Sequence, residues 1–296
     1  MGDFKLIQLS NHTYYFAARS NIGVYEENGD VILIDSGSDK EAGRQVMKFV
    51  KQQKWEIKLI INTHSNADHI GGNAFIQKRT ECRIAATDLE TPFINHPFFE
   101  PSFLNGGYPH KRLQNKFLLA APSKVTDIIP DSGPVPDTPL EALSLPGHFL
   151  QMIGVQTPDS ILFTADALIP EEIVNKYHIF YLYDICRHLE TLSMLKEREA
   201  VQFVPSHGDP VSNITEMADA NVAKILEIIG QISNICTKPV TAEELLEHLC
   251  IHYGLELNGN QYVLLLSTIR AYLAYMLDEK MVEILYNRGR MEWKTR

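Results

Sequence analysis

Thr63-His64-Ser65-Asn66-Ala67-Asp68-His69, with Gly71-Gly72 just behind it, is the stretch that decides how this chain reads. It follows a short apolar run, KLIINT at 58–63, whose length and branched side chains predict a buried strand. A loop at the carboxyl end of such a strand projects its side chains into a crevice, where open α/β sheets place ligands. Two imidazoles and a carboxylate within six positions are ligand types for zinc, iron or manganese.

The same arrangement recurs three times further along. Pro146-Gly147-His148 follows EALSL at 141–145, Thr164-Ala165-Asp166 follows SILFT at 160–164, and Pro205-Ser206-His207 follows QFVPS at 202–206. A lone histidine after a strand is usually structural. Four ligand-bearing turns, each after a β-run and beside small residues, predict one metal centre.

Upstream of the centre, FKLIQLS and TYYFA read as strands, ENGD at 27–30 as a turn and VILID at 31–35 as a buried strand. Ala42, Val46, Phe49 and Val50 predict a helix from about Asp39 to Gln53, and CRIAA at 82–86 predicts another strand. The stretch 91–120 carries four prolines and six Phe or Tyr residues, and it fits either a lid or an extra packed helix pair. MIGVQ at 152–156 is a strand, and a helix is expected over 184–198. From about 213 the pattern is helical, then closes on two short strands around Asn287-Arg288-Gly289, a hairpin signal. The expected organisation is a catalytic unit over 1–212, with 91–120 as insert or lid, and a helical, winged-helix-like region over 213–296.

In order along the chain, VILIDSG, THSNADHIGGN, PGHFLQMIGV, FTADAL and VPSHGDP resemble the motifs of the metallo-β-lactamase superfamily. The resemblance covers roughly residues 5–210. It implies an α/β fold, a four-layer αβ/βα sandwich, and a metal-dependent hydrolase that uses metal-bound hydroxide. It implies His64 and His148 as ligands of a first metal site. It likewise implies Asp68, His69 and His207 as ligands of a second, Asp166 as the bridge, and Asp35 as a structural aspartate supporting the ligand loop. One position departs from the family's H-x-H-x-D-H pattern: its second histidine is Asn66 here. An amide oxygen is a weaker ligand than imidazole, so the first site is expected to hold metal less tightly than the second. The expected cofactor is zinc, one or two ions, with iron or manganese as alternatives. Asp68 is the expected catalytic residue, orienting the nucleophile and accepting its proton. His96, His110, Tyr177, His178 and Tyr183 are candidates to line the pocket.

The favoured substrate is a small-molecule thioester, ester or lactone, as in the glyoxalase II-like hydrolases that the chain resembles. A phosphodiesterase or endoribonuclease and a non-enzymatic metal-binding scaffold are the alternatives. The net charge of −10 disfavours nucleic acid as a partner, and so does the balance of six basic to eight acidic residues over 241–296. The N-terminus lacks a basic segment followed by an apolar one, no apolar run reaches about 20 residues, and the four cysteines form no CxxC pair. A cytoplasmic protein without a membrane span is therefore expected, and a homodimer is allowed.

Overall fold

A computed structural model describes residues 4–296, so the first three positions of the expected 1–212 unit lie outside the described residues. Twelve strands form two mixed sheets. The first runs in the order β1 (Lys5–Gln8), β2 (Thr13–Ala17), β3 (Ile22–Glu27), β4 (Asp30–Ile34), β5 (Glu56–Ile61), β6 (Arg83–Ala86) and β7 (Asp127–Ile128). The second comprises β8 (Gly133–Pro134), β9 (Glu141–Ser144), β10 (Ile153–Gln156), β11 (Ile161–Ala165) and β12 (Gln202–Pro205). Hairpins join β1 to β4 antiparallel, whereas β4 to β7 run parallel through helical crossovers, as does β11 to β12.

The near-continuous apolar runs in β4 and β5 follow from burial on both faces. Val31 and Leu33 pack toward α1 (Lys40–Gln53) and Ile76, while Ile34 and Ile61 pack against Ile153, Val155 and Phe163 of the second sheet. Helix α2 (Ala67–Ile70) lies inside the histidine motif, and α3 (Asn73–Thr80) joins α1 over the outer face of the first sheet. The outer face of the second sheet packs Leu162 and Phe203 against α7 (Ile185–Lys196) and α8 (Thr215–Ile235). The result is the expected αβ/βα sandwich of four layers.

The aromatic stretch 91–120 forms a short helix pair, α4 (Thr91–Asn95) and α5 (Phe99–Asn105), followed by loops. Helix α6 (Glu171–Tyr177), which no periodicity in the sequence announces, follows the Asp166 turn. The C-terminal part consists of α8, α9 (Ala242–Tyr253), α10 (Gly259–Asp278) and the hairpin β13 (Val282–Asn287) with β14 (Arg290–Thr295). Its helices do not form a separate core. Ile228, Leu245, Ile269 and Leu273 belong to the same buried cluster as Leu162, Leu182, Leu192 and Phe203. Among the described residues, no helix is long and apolar enough to cross a membrane, and all four cysteines are free thiols.

Candidate metal centre

The ligand-bearing turns meet at one edge of the sandwich. His64 leaves β5, Asp166 leaves β11, His207 leaves β12, and His148 lies in the β9–β10 connection. Backbone bonds tie the two sheets together at this edge: Ile153 N–H donates to Thr63 O at 2.9 Å and Asn21 N–H to Ser206 O at 2.7 Å. The Asn21 amide also donates to Pro205 O and Gly208 O, which fixes the His207 turn. Gly147 adopts φ +126°, and a Cβ there would collide with the backbone of His188, so only glycine lets the chain turn His148 inward.

Two clusters result. In one, His64, His148 and Asp166 each offer a ligand atom within 4.8 Å of the others; Asp68, His69 and His207 do the same in the second. Asp166 faces both clusters. Its Oδ2 is 3.5 Å from His148 Nε2 and 3.6 Å from His207 Nε2, and its Oδ1 is 3.4 Å from His69 Nε2. Ligand atoms sharing one ion, each about 2.1 Å from it, stand roughly 3–3.5 Å apart, which these spacings approach. Asp68 Oδ2 is slightly wider, 3.8 Å from His207 Nε2 and 3.9 Å from His69 Nε2.

The tautomers suit the same purpose. Thr63 Oγ1 donates its proton to Asp35 Oδ2 at 2.7 Å, so the 3.0 Å bond to His64 must be donated by His64 Nδ1–H. His69 Nδ1–H donates to Asp35 Oδ2 at 2.8 Å, and His207 Nδ1–H donates to the Arg19 carbonyl at 2.7 Å. In all three rings Nδ1 is held as a donor, so Nε2 is the nitrogen that faces the site and becomes the ligand atom when a metal displaces its proton. Asp35, at a left-handed φ of +63°, also accepts from Thr63 N–H, as the structural role predicted for it requires.

Four buried polar atoms here lack any hydrogen-bond partner: His64 Nε2, His69 Nε2, His148 Nδ1 and Asp166 Oδ1. Orphaned buried polar atoms are costly, and three of these four face the space between the clusters. Burial alone would keep His69 neutral, but Asp166, Asp68 and Asp35 outweigh it and hold its pKa well above the usual imidazole range. Burial is likewise overruled at His207, which Asp166 helps push up to about 9. At His64 burial wins, reinforced by the charge on His69, and its pKa falls well below normal. The field of the carboxylates thus draws positive charge into the gap, and the donor set fits a pair of divalent cations.

Asn66 points into the site. Its Oδ1 lies 3.1 Å from His148 Nε2, and its Nδ2 donates to Glu100 Oε1 of α5 at 3.0 Å. Glu100 is buried, and its pKa is raised well above normal by burial and by the Asp68 charge. A second buried glutamate, Glu90, accepts from Ser65 N–H, Ser65 Oγ and Gln151 N–H, clamping the histidine loop to the His148 loop. Burial pushes Glu90 up to about 7. Ser20 Oγ donates to Asp68 Oδ2 at 2.8 Å.

The site opens into a cavity of about 680 Å³. Asp68, His148, Asp166 and His207 share its lining with apolar side chains of α6 and of the α9–α10 connection. Of the five candidate pocket residues only Tyr177 lines it. His178 instead stacks on Tyr253, Tyr183 packs against Phe103 and Phe149, and His96 and His110 are exposed outside the cavity. Tyr181, which the sequence did not single out, lines the cavity edge-on to His148 at 5.4 Å between ring centres. Burial holds its phenol pKa far above normal, so it remains a neutral donor.

The sequence profile of the metallo-beta-lactamase superfamily matches residues 16–207, more than half of the chain. The chain belongs to this superfamily. It is 30% identical over 101 residues to a UPF0173 metal-dependent hydrolase of Thermodesulfovibrio yellowstonii, a match covering 34% of this chain and 33% of that protein. It is 28% identical over 109 residues to an alkyl/aryl-sulfatase of Saccharomyces cerevisiae, covering 35% of this chain and 17% of that one. These matches thus span a third or less of either relative's length. Among solved structures, a beta-lactamase domain protein from Burkholderia ambifaria superposes with a TM-score of 0.76 at 14% identity, over 100% of this chain and 94% of that one. A metallo-beta-lactamase family protein from Thermus thermophilus gives 0.73 at 20% identity, over 94% of both chains. The first likeness covers the whole chain and so includes the C-terminal helices.

Proposed function

We propose that this chain is a metal-dependent hydrolase acting on a small-molecule thioester, ester or lactone, with zinc as its ion. The observation that carries the reading is the pair of His/Asp clusters meeting on Asp166 at a largely apolar cavity. His64, His148, Asp166 and Asn66 would hold one ion, and Asp68, His69, His207 and Asp166 the other. When bound, the ions supply Lewis acidity at the scissile carbonyl and a nucleophile from water at neutral pH.

The side chains do the rest. Asp35 and Thr63 hold the imidazoles in the required tautomer, and Arg19 O does the same for His207. Asp68, with one oxygen held by Ser20, keeps the other to orient the nucleophile and take up its proton. Tyr181, a neutral phenol beside His148, is placed to donate toward charge developing on the substrate. Residues 1–212 carry this machinery in our reading, with 213–296 as a helical region that resembles a winged helix in its three helices and hairpin. We place the protein in the cytoplasm.

A nuclease reading finds less support. Arg290, one of the C-terminal cations, is already paired with Glu244 and, at 2.8 Å, with Glu292.

The test is hydrolysis of an octanoyl thioester, followed by release of the free thiol. Chelator-stripped protein should be inactive, zinc should restore the rate, and Asp166→Ala should stay inactive with zinc present. A rate indifferent to chelator, or an active Asp166→Ala, would overturn the proposal.

A further inference from the structure

The cavity holds more information than its apolar character. Ile169 and Ile173 come from the Asp166 turn and α6, whereas Leu257, Leu264 and Leu265 come from the α9–α10 connection and α10. The slot is therefore built jointly by the sandwich and the C-terminal helices. Two cations, Arg19 and Lys176, line the same cavity.

Among the described residues, no ion pair joins either cation to a carboxylate. Each rests against an aromatic ring instead: the Arg19 guanidinium lies 5.7 Å from the centre of Phe117, and Lys176 Nζ lies 5.0 Å from that of Tyr177. Aromatic support positions a cation without neutralising it. Glu256 is the one acid of the lining outside the candidate ligand set; it is exposed, as are Arg19 and Lys176.

We infer that the site takes an anionic amphiphile: an acyl ester or thioester whose apolar chain fills the α6–α10 slot and whose negative group, away from the scissile bond, is read by Arg19 and Lys176. The inference deepens the hydrolase reading and rests on it for the scissile bond, but not for binding. Arg19 is well placed for the task. Its backbone carbonyl fixes His207, and the next residue, Ser20, holds Asp68, so the charge-reading side chain shares a loop with the supports of the metal centre. An apolar chain gains about fourfold in affinity per buried methylene, so a slot of this kind rewards chain length.

Binding to the zinc-loaded full chain tests this without any bond being cleaved. The probes are 3-(octylthio)propanoate and its neutral counterpart 3-(octylthio)propan-1-ol, measured by isothermal titration calorimetry. The anionic probe should bind at least tenfold more tightly. Arg19→Gln and Lys176→Met should each reduce that preference several-fold, and the double variant should abolish it. Leu257→Asn should weaken both probes equally, and a butylthio chain should bind at least tenfold less well than the octylthio chain. Equal binding of the two probes overturns the inference. So does a preference that survives the double variant, because the ions would then be reading the charge. Loss of the hydrolase reading would show itself separately, as probe binding intact with no octanoyl thioester cleaved.

Discussion

Removing the Glu100 carboxylate should weaken one metal site and spare the other. Glu100 accepts from Asn66 Nδ2 at 3.0 Å inside a buried pocket, and Asn66 Oδ1 in turn stands 3.1 Å from His148 Nε2. A carboxyl oxygen accepts here, so it holds the amide nitrogen toward itself and turns the amide oxygen toward the first site. In Glu100→Leu that constraint is gone and Asn66 can rotate. Leaving the buried amide nitrogen without its acceptor costs about 1–3 kcal/mol, and loss of a partner that orients a ligand typically costs about 10–100-fold in metal affinity. The two figures agree, since about 1.4 kcal/mol is a factor of ten. We expect the first-site dissociation constant to rise by about 10–100-fold, while the second, whose Asp68, His69 and His207 do not touch Glu100, stays within about twofold. Glu100→Gln is the control, because its amide carbonyl still accepts from Asn66. The assay is competition for zinc against a chromogenic chelator, resolving both binding steps. Equal weakening of both sites, or no change in Glu100→Leu, would refute the argument.

Asn66→His should raise zinc stoichiometry toward two per chain at limiting zinc, because imidazole replaces a weaker amide ligand at a side chain that already faces the site; native mass spectrometry reads this. His69→Ala and His207→Ala should lose metal more completely than His148→Ala, measured by elemental analysis of purified protein. His188 is buried with neither ring nitrogen hydrogen-bonded, and burial pushes its pKa down to about 3. Its neutral form is the one that folds, so stability is present above about pH 6.5, the unfolded value, and is lost as pH falls toward 3. Relative to His188→Leu, the wild type should lose about 2 kcal/mol between pH 7 and pH 5, and parallel chemical denaturation at the two pH values would show it.

The candidate ligands were legible because each lies in a turn or short helix that follows a strand with a clear apolar pattern. Asp35 was legible for the same reason, at the end of VILID. What the sequence hid are the residues that act on the ligands from a distance along the chain. Glu100 looks like a surface carboxylate in an aromatic stretch. Only its spacing from Leu104, four residues on and therefore on the same helical face, hints that it is buried. Glu90, Ser20 and Asn21 carry no pattern at all, since their partners lie 25 to 187 residues away. Helix α6 is too short for a reliable period, so nothing in the sequence marks Lys176, although Tyr177 beside it is an expected pocket residue. The C-terminal helices were legible as helices, but periodicity says which face is buried and not what it is buried against. Their place as a wall of the cavity is a tertiary fact. The pocket histidines were misplaced for a related reason: His96 and His110 sit in a segment that reaches the site through Glu100 and Phe117 rather than through its imidazoles.

Anomalous diffraction at the zinc edge, from crystals grown with zinc, tests the account at its centre. Two peaks are expected about 3.5–4 Å apart, with Asp166 between them. One should be bounded by His64, His148 and Asn66, and the other, more fully occupied, by Asp68, His69 and His207. No peak among these side chains, or zinc bound only elsewhere on the chain, would contradict it.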